Sequence, residues 1–429
     1  MRMLLFYSVT AIFIAGCTPI AQNSVNSGGN PKILRLRDLA YEPQIKTVTL
    51  HPATTDPQAT LEPAVMHITD GSLVLAFDDL TTARDTYYAR IIHCNADWSK
   101  STLMDLDFMY DFNEFPVNNF EFSVDSHVPY VHYWLQVPRV KVPGNYVMAV
   151  YRGTDKNDII LTKRFMVIDP RVTFQGEGNL IGAGALASMN QQLNFTVNYK
   201  NIEIINPLEN VKVVIRQNQR WDNIVMDVKP SFVREIEHEL EYRFFDDSKM
   251  FKGGNEFRFF DLRSLNNPGR NVANVNRTVK PFEVFIERDK SRQHDAYSQY
   301  LDMNGGFVLD NLDFRSANFA NYAYVNFALA SRPISGDVYV TGAFHQWNLN
   351  NENRMLYDSA KQEYYASFLL KQGWYDYQYL VKSKELPPYV LEGSHFETEN
   401  MYEIFVYYQP FQPRADLLIG YLRLQKNPR

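Results

Sequence analysis

Cysteine is almost absent: Cys17 and Cys94 are the only two in 429 residues, so neither a disulfide framework nor a Cys-rich zinc site can be built. Clustered basic residues are missing as well. With 43 Lys and Arg against 49 Asp and Glu, the net charge is −6, and no basic run displaces counterions from a phosphate backbone, which argues against a nucleic-acid partner. The only long apolar run, the 12 residues Leu4 to Ala15, is too short to span a bilayer, which takes about 20 residues in a helix. No G-x-S-x-G elbow, phosphate-binding glycine loop or H-E-x-x-H pair occurs, and no segment of useful length carries a helical period.

What the chain has instead is aromatic residues. The 27 Tyr and 29 Phe favour strands, because flat rings pack well on a half-buried pleated surface. The length exceeds what one core usually supports, about 250–300 residues, so two or three domains are expected.

The N-terminus reads as a targeting segment. Arg2 precedes the apolar run, and Ile14-Ala15-Gly16-Cys17 resembles a bacterial lipobox, which makes residues 1–16 a signal peptide and Cys17 the lipidated residue. The polar, Gly/Ser/Asn-rich stretch 17–32 reads as a flexible tether.

Strand patterning divides the rest into three consecutive β-sandwich domains, immunoglobulin-like or early-set-like, over 33–169, 170–315 and 316–429. Seven candidate strands fill the first: Thr47–Leu50, Ser72–Phe77, Thr86–His93, Phe120–Val124, Val131–Val137, Asn145–Tyr151 and Ile160–Ile168. Asp78-Asp79 and Pro143-Gly144-Asn145 read as turns between them, the first solvated. The middle region offers Leu193–Tyr199, Val211–Arg216, Leu240–Phe245, Glu256–Phe260 and Phe282–Glu287, with Gly182 to Ser188 as a loop. The last offers Tyr322–Ala330, Asp337–Gly342, Tyr364–Leu370, Tyr375–Val381 and Tyr402–Tyr408.

Chemistry is sparse. His127 and His132 are too few to make a zinc site and read as structural, and no metal or cofactor is expected. His93 and Cys94 are neighbours on a strand, so their side chains point to opposite faces and no nucleophilic pair forms. Asp302 to Gly306 lacks the ligands of a calcium loop and reads as a turn, and Asp261 and Arg263 read as a local pair. Two segments, Val338 to Trp347 and Leu370 to Tyr379, resemble the layout of early-set sandwiches related to glycogen-binding modules. Trp347, Trp374 and Tyr377 are then candidates for carbohydrate or partner contact, or for core packing. Asp358-Ser359-Ala360 resembles a Bacteroidetes O-glycosylation motif at Ser359.

A set of segments in order carries a wider resemblance. It runs through His93-Cys94-Asn95-Ala96-Asp97-Trp98, Tyr130 to Trp134, Pro143 to Tyr146, Arg164 to Val167, Arg216 to Trp221, Gly253 to Arg258 and Asp261 to Leu265. Leu369 to Gly373, Glu392-Gly393-Ser394 and Thr398-Glu399-Asn400 complete it. Together they resemble the plug proteins of the type IX secretion system of Bacteroidetes. The resemblance implies a non-enzymatic subunit that closes the periplasmic mouth of an outer-membrane translocon β-barrel when no cargo carrier is bound. No interface residue can be carried over. Surface-exported lipoproteins of these bacteria carry an acidic cluster after the lipidated cysteine, and none follows Cys17, which points to lipid anchoring on the periplasmic face of the outer membrane. The competing reading is a periplasmic carbohydrate-binding lipoprotein that uses the C-terminal module, with a hydrolase a distant third.

Overall fold

The computed structural model describes residues 32–54, 56–181, 187–226, 228–244, 249–314 and 319–428. The signal peptide, Cys17 and most of the tether lie outside them, as do residues 182–186 of the expected Gly/Ala/Ser loop. The described chain is all β apart from short helical turns, of which the two α-helical ones, Asp105–Phe108 and Pro207–Asn210, have four residues each. No described helix is long and apolar enough to cross a membrane.

Two sheets face each other over residues 39–168. One runs in the order Leu39–Ala40, Ile159–Ile168, Gly144–Arg152, Tyr87–Cys94 and Phe115–Pro116. The other runs Ile45–Pro52, Leu73–Asp79, Val131–Gln136 and Asn119–Phe122. Alternate residues of each strand point inward, so Leu75, Phe77, Ile91, Tyr133, Met148, Val150 and Phe165 fill one core. Gly144 is fixed by that core: its φ is +153°, and a Cβ there would lie 2.5 Å from the His93 Nε2.

The remaining two sandwiches do not follow the boundary expected at 315–316. Val211–Gln217 pairs along its whole length with Asn400–Tyr408, which pairs in turn with Leu417–Lys426. These strands close over a sheet made of Thr173–Ile181, Asn190–Asn198, Glu239–Tyr242 and Phe232–Arg234. Their shared core holds Phe195, Val197, Val213, Ile215, Tyr402, Ile404 and Ile419. The middle sandwich is therefore completed by the C-terminal strands, and the third sandwich, roughly 256–397, is inserted into it. In the inserted domain Arg258–Asp261 and Phe307–Leu309 flank Gly373–Lys382, while Tyr322–Ala330 pairs with Glu363–Lys371 in the opposite sheet. The three domains are sandwiches, but the last two are nested rather than consecutive. Reading along the chain misses this because neighbours in sequence are usually neighbours in space, and an insertion breaks that rule.

Candidate functional site: the joints between domains

The described residues hold no group of three or more His, Cys, Asp or Glu side chains placed to bind a metal. What stands out is a set of buried charges and stacked rings where the domains meet.

Asp78 is the centre of the joint between the first and the inserted domain. It is the second-last residue of the apolar strand Leu73–Asp79 and is fully buried, as Asp79 nearly is, so the expected solvated turn is not there. The Lys371 ammonium donates to Asp78 at 2.8 Å, the Tyr322 hydroxyl at 2.6 Å, and His132 Nδ1 lies 2.6 Å away. Lys371 and Tyr322 come from the inserted domain, 293 and 244 residues along the chain from Asp78. Burial would push the Asp78 carboxyl up, but the Lys371 charge and the His132 hydrogen bond outweigh it and hold the group at about 2. The Lys371 ammonium also sits 4.1 Å above the Tyr130 ring. Around this ion pair the His127 ring packs on Phe282 and the His127 amide donates to Asn321. Both histidines therefore serve packing and hydrogen bonding. A cleft of about 570 Å³ opens beside the joint, with Lys371 and Tyr322 among its lining residues.

The first and middle domains meet through stacked cations and indoles. Trp98 and Trp221 contact edge to face at 4.7 Å. Arg164 lies 4.5 Å over Trp98, and Arg216 lies 4.3 Å over Trp221. Arg216 forms a bidentate pair with Glu403, both bonds 2.7 Å, with both side chains buried. Beside them Asp416 accepts from the Ala96 amide and pairs with Lys212, and the Tyr407 hydroxyl donates to Asn145. Cys94 is fully buried in the same cluster, on the face opposite His93, whose ring packs against Tyr146. Burial pushes its thiol up to about 12, which leaves it a weak nucleophile.

The chain crosses between the middle and inserted domains twice, at 253–256 and at 392–400, and the two crossings are laced together. Asn400 donates to the Gly253 carbonyl, Thr398 to the Gly254 carbonyl and Asn255 to the Glu392 carbonyl. Gly253 leaves no room for a Cβ against the His395 carbonyl. Glu392 accepts from both Arg258 and Arg292; burial opposes its ionisation, and the two guanidinium charges override this and hold it at about 2.

The sequence candidates distribute differently from a sugar platform. Arg220 of the middle domain lies 4.4 Å over the Trp347 ring, and Phe257 meets its edge. Trp374 stacks on Phe259 at 4.9 Å and lies under Arg263. Tyr377 points to the other face of the same strand, is 3% exposed, and donates its hydroxyl to Asp289. The three side chains share no open surface. Ser359 is exposed in the turn before Glu363–Lys371. Asp261 and Arg263 pair as expected. The turn at 302–306 is held by Asp376, which accepts from the Gly305 amide, and by Asp302, which accepts from Asn304.

Sequence reasoning did not single out Asp78, Lys371, Arg216, Glu403 or Glu392 as joint residues. The available signal was an acidic residue at the end of or inside an otherwise apolar strand, as in LVLAFDD and NMYEIFVYY.

Nested sandwiches joined by the buried Asp78–Lys371 pair, by stacked rings and by hydrogen bonds define a multi-domain β scaffold protein. Comparison with known proteins gives a family match for its first domain. Residues 45–169 match the model described as the type 9 secretion system plug protein 1st domain. The match covers the first of the three sandwiches, so over that domain the chain is similar to the plug proteins of the type IX secretion system. Among solved structures, a hypothetical protein from Parabacteroides merdae ATCC 43184 is 28% identical, with a TM-score of 0.85 over 92% of this chain and 100% of that one. Escherichia coli alpha-2-macroglobulin activated by porcine elastase overlaps at 7% identity and a TM-score of 0.18 over 90% of this chain and 35% of that one, too slight a likeness to carry an argument. No curated protein matches.

Proposed function

We propose that the chain is a non-enzymatic gating subunit that closes the periplasmic end of the outer-membrane translocon barrel of the type IX secretion system when no cargo carrier occupies it. The observation that carries this reading is the plug-domain match over residues 45–169. The joints supply the mechanics. A plug must present its folded mass as one body, and a body whose domains are fastened through the Asp78–Lys371 pair and the Trp98–Trp221 contact resists being pulled apart by partial engagement. Lipidation of Cys17 would hold this body at the periplasmic face of the outer membrane. The tether to Pro31 has a root-mean-square reach of roughly 20 Å, so confinement raises the effective concentration at a pore mouth and a modest, displaceable affinity is enough to seal it.

The chain is expected to co-purify with the translocon barrel mainly in complexes that lack the carrier. Deleting it should leave cargo export largely working while admitting vancomycin into the cell, and complementation should reverse the leak. Unchanged permeability together with no barrel in the pull-down would end this reading. The anchor has its own check: the wild-type chain should take up radiolabelled fatty acid and the Cys17→Ala chain should not, and absence of label on the wild type would remove the anchor without touching the plug.

A further inference from the structure

We infer that one side of the body docks directly on a zwitterionic lipid surface, through apolar side chains that line the route from the tether to the middle domain. The inference rests on the proposed anchoring only for the position of the tether.

The line can be traced contact by contact. Lys32, where the described chain begins, pairs with Asp158 at 2.5 Å, and the next residue, Ile33, is exposed. Two residues before Asp158, the Lys156 ammonium lies 5.9 Å over the ring of Phe112 and pairs with Glu114. Lys141 lies 5.5 Å over Tyr110 and donates to the Leu106 carbonyl. Met104 precedes the short helix Asp105–Phe108, and two residues earlier Thr102 donates to the carbonyl of Arg414, in the loop that carries Phe411. Ile33, Met104, Leu106, Tyr110, Phe112 and Phe411 are between 61 and 90% exposed.

Leaving this many large apolar groups in water is unfavourable, and a contiguous set of them marks a contact surface. Three features select lipid. The chain that would carry the anchor enters the body at one end of the line, so a membrane-tethered molecule brings this side to the bilayer first. The set mixes aliphatic and aromatic side chains with two lysines whose ammonium groups lie beside rings, a composition suited to the headgroup boundary, where apolar and charged groups meet. Asp105, Asp107 and Asp111 interleave with the apolar residues and offset the lysines, which fits a neutral headgroup layer and works against attraction to an anionic one.

The test uses the chain from Thr18 to Arg429, which holds every described residue but neither the apolar leader nor Cys17. It should co-sediment with vesicles of phosphatidylcholine, with little change when salt is raised and no gain when phosphatidylglycerol is added. The double variant Leu106→Ser/Phe112→Ser should partition about 100-fold more weakly, about tenfold for each side chain. Both residues are exposed, so its melting temperature should match wild type. Leu301→Ser, at an equally exposed apolar site on the inserted domain, should bind as wild type does. No binding to phosphatidylcholine, binding that needs phosphatidylglycerol and is lost in salt, or equal binding by the double variant would each overturn the inference. Because this chain has no anchor, those results leave Cys17 lipidation to be decided by its own labelling.

Discussion

Lys371→Met will destabilise the folded chain by about 3–5 kcal/mol, because it strips the cation from a fully buried carboxylate. The magnitude follows from position. Asp78 has no exposure, and its remaining partners, Tyr322 and His132, donate hydrogen bonds without replacing the ammonium in the pocket. The variant should shift the urea midpoint down, and the first domain should begin to melt ahead of the rest, because the pair joins it to the inserted domain. Asp78→Asn added to Lys371→Met should recover much of the loss, since the uncompensated charge is gone. The coupling between the two sites, read from a double-mutant cycle, should exceed about 1 kcal/mol. A single variant within about 0.5 kcal/mol of wild type would mean that the joint is solvated and carries no such weight.

The reasons this joint was not visible in the sequence are specific. Strands were legible because alternation is local: Tyr322–Ala330 lies where the pattern puts it, and Val211–Gln217 and Gly144–Arg152 lie within a residue or two of theirs. Pairing is not local. Nothing in Val211–Gln217 announces that its partner is Asn400–Tyr408, so the middle domain was closed at the wrong place along the chain. Thr173–Ile181, Val272–Asn276 and Leu417–Lys426 were passed over because Gly, Asn and charged residues interrupt their apolar pattern. Asp78 was misread for a related reason. An Asp-Asp pair after an apolar strand is a turn signal on local grounds, and only a lysine 293 residues away makes burial affordable. The segments that carried the family resemblance were legible as words before their meaning was. His93 to Trp98, Arg216 to Trp221, Gly253 to Arg258, Glu392 to Ser394 and Thr398 to Asn400 all lie at the joints. Trp347 was a candidate for contact with an outside ligand, and its face is covered from within by Arg220.

Stability should change little from pH 8 to pH 5 and fall steeply below pH 4. Two opposed sets of carboxylates and two buried histidines produce this profile. Asp78 and Glu392 are held at about 2 in the folded chain, below their unfolded values of about 3.9 and 4.3. A depressed folded pKa gives stability that is fully present above the unfolded value and is lost as pH falls through the folded one. Each group is fully buried, so each contributes on the order of 2–3 kcal/mol, lost between about pH 4.5 and 2. Asp302 and Asp376 act in the opposite sense. Burial raises both, the Asp302 charge raises Asp376 further, and the folded chain therefore binds protons there that the unfolded chain releases. Stability from that pair grows as pH falls from neutrality toward the ordinary carboxylate range. His93 and His345, held at about 4 by burial, pull the other way, because the unfolded chain binds protons there that the folded chain refuses until about pH 4. Urea midpoints measured from pH 8 to pH 2.5 should thus stay nearly level to about pH 5 and then drop. Glu392→Gln separates the two limbs. It should lower stability at neutral pH, where Arg258 and Arg292 lose their shared anion, and flatten the fall below pH 4 by about the share that Glu392 supplies. Asp376→Asn should turn the level stretch between pH 7 and 5 into a decline and leave the acid limb unchanged. An Asp376→Asn chain with the wild-type profile, or a Glu392→Gln chain with the wild-type acid limb, would show that these buried carboxylates do not set the acid response.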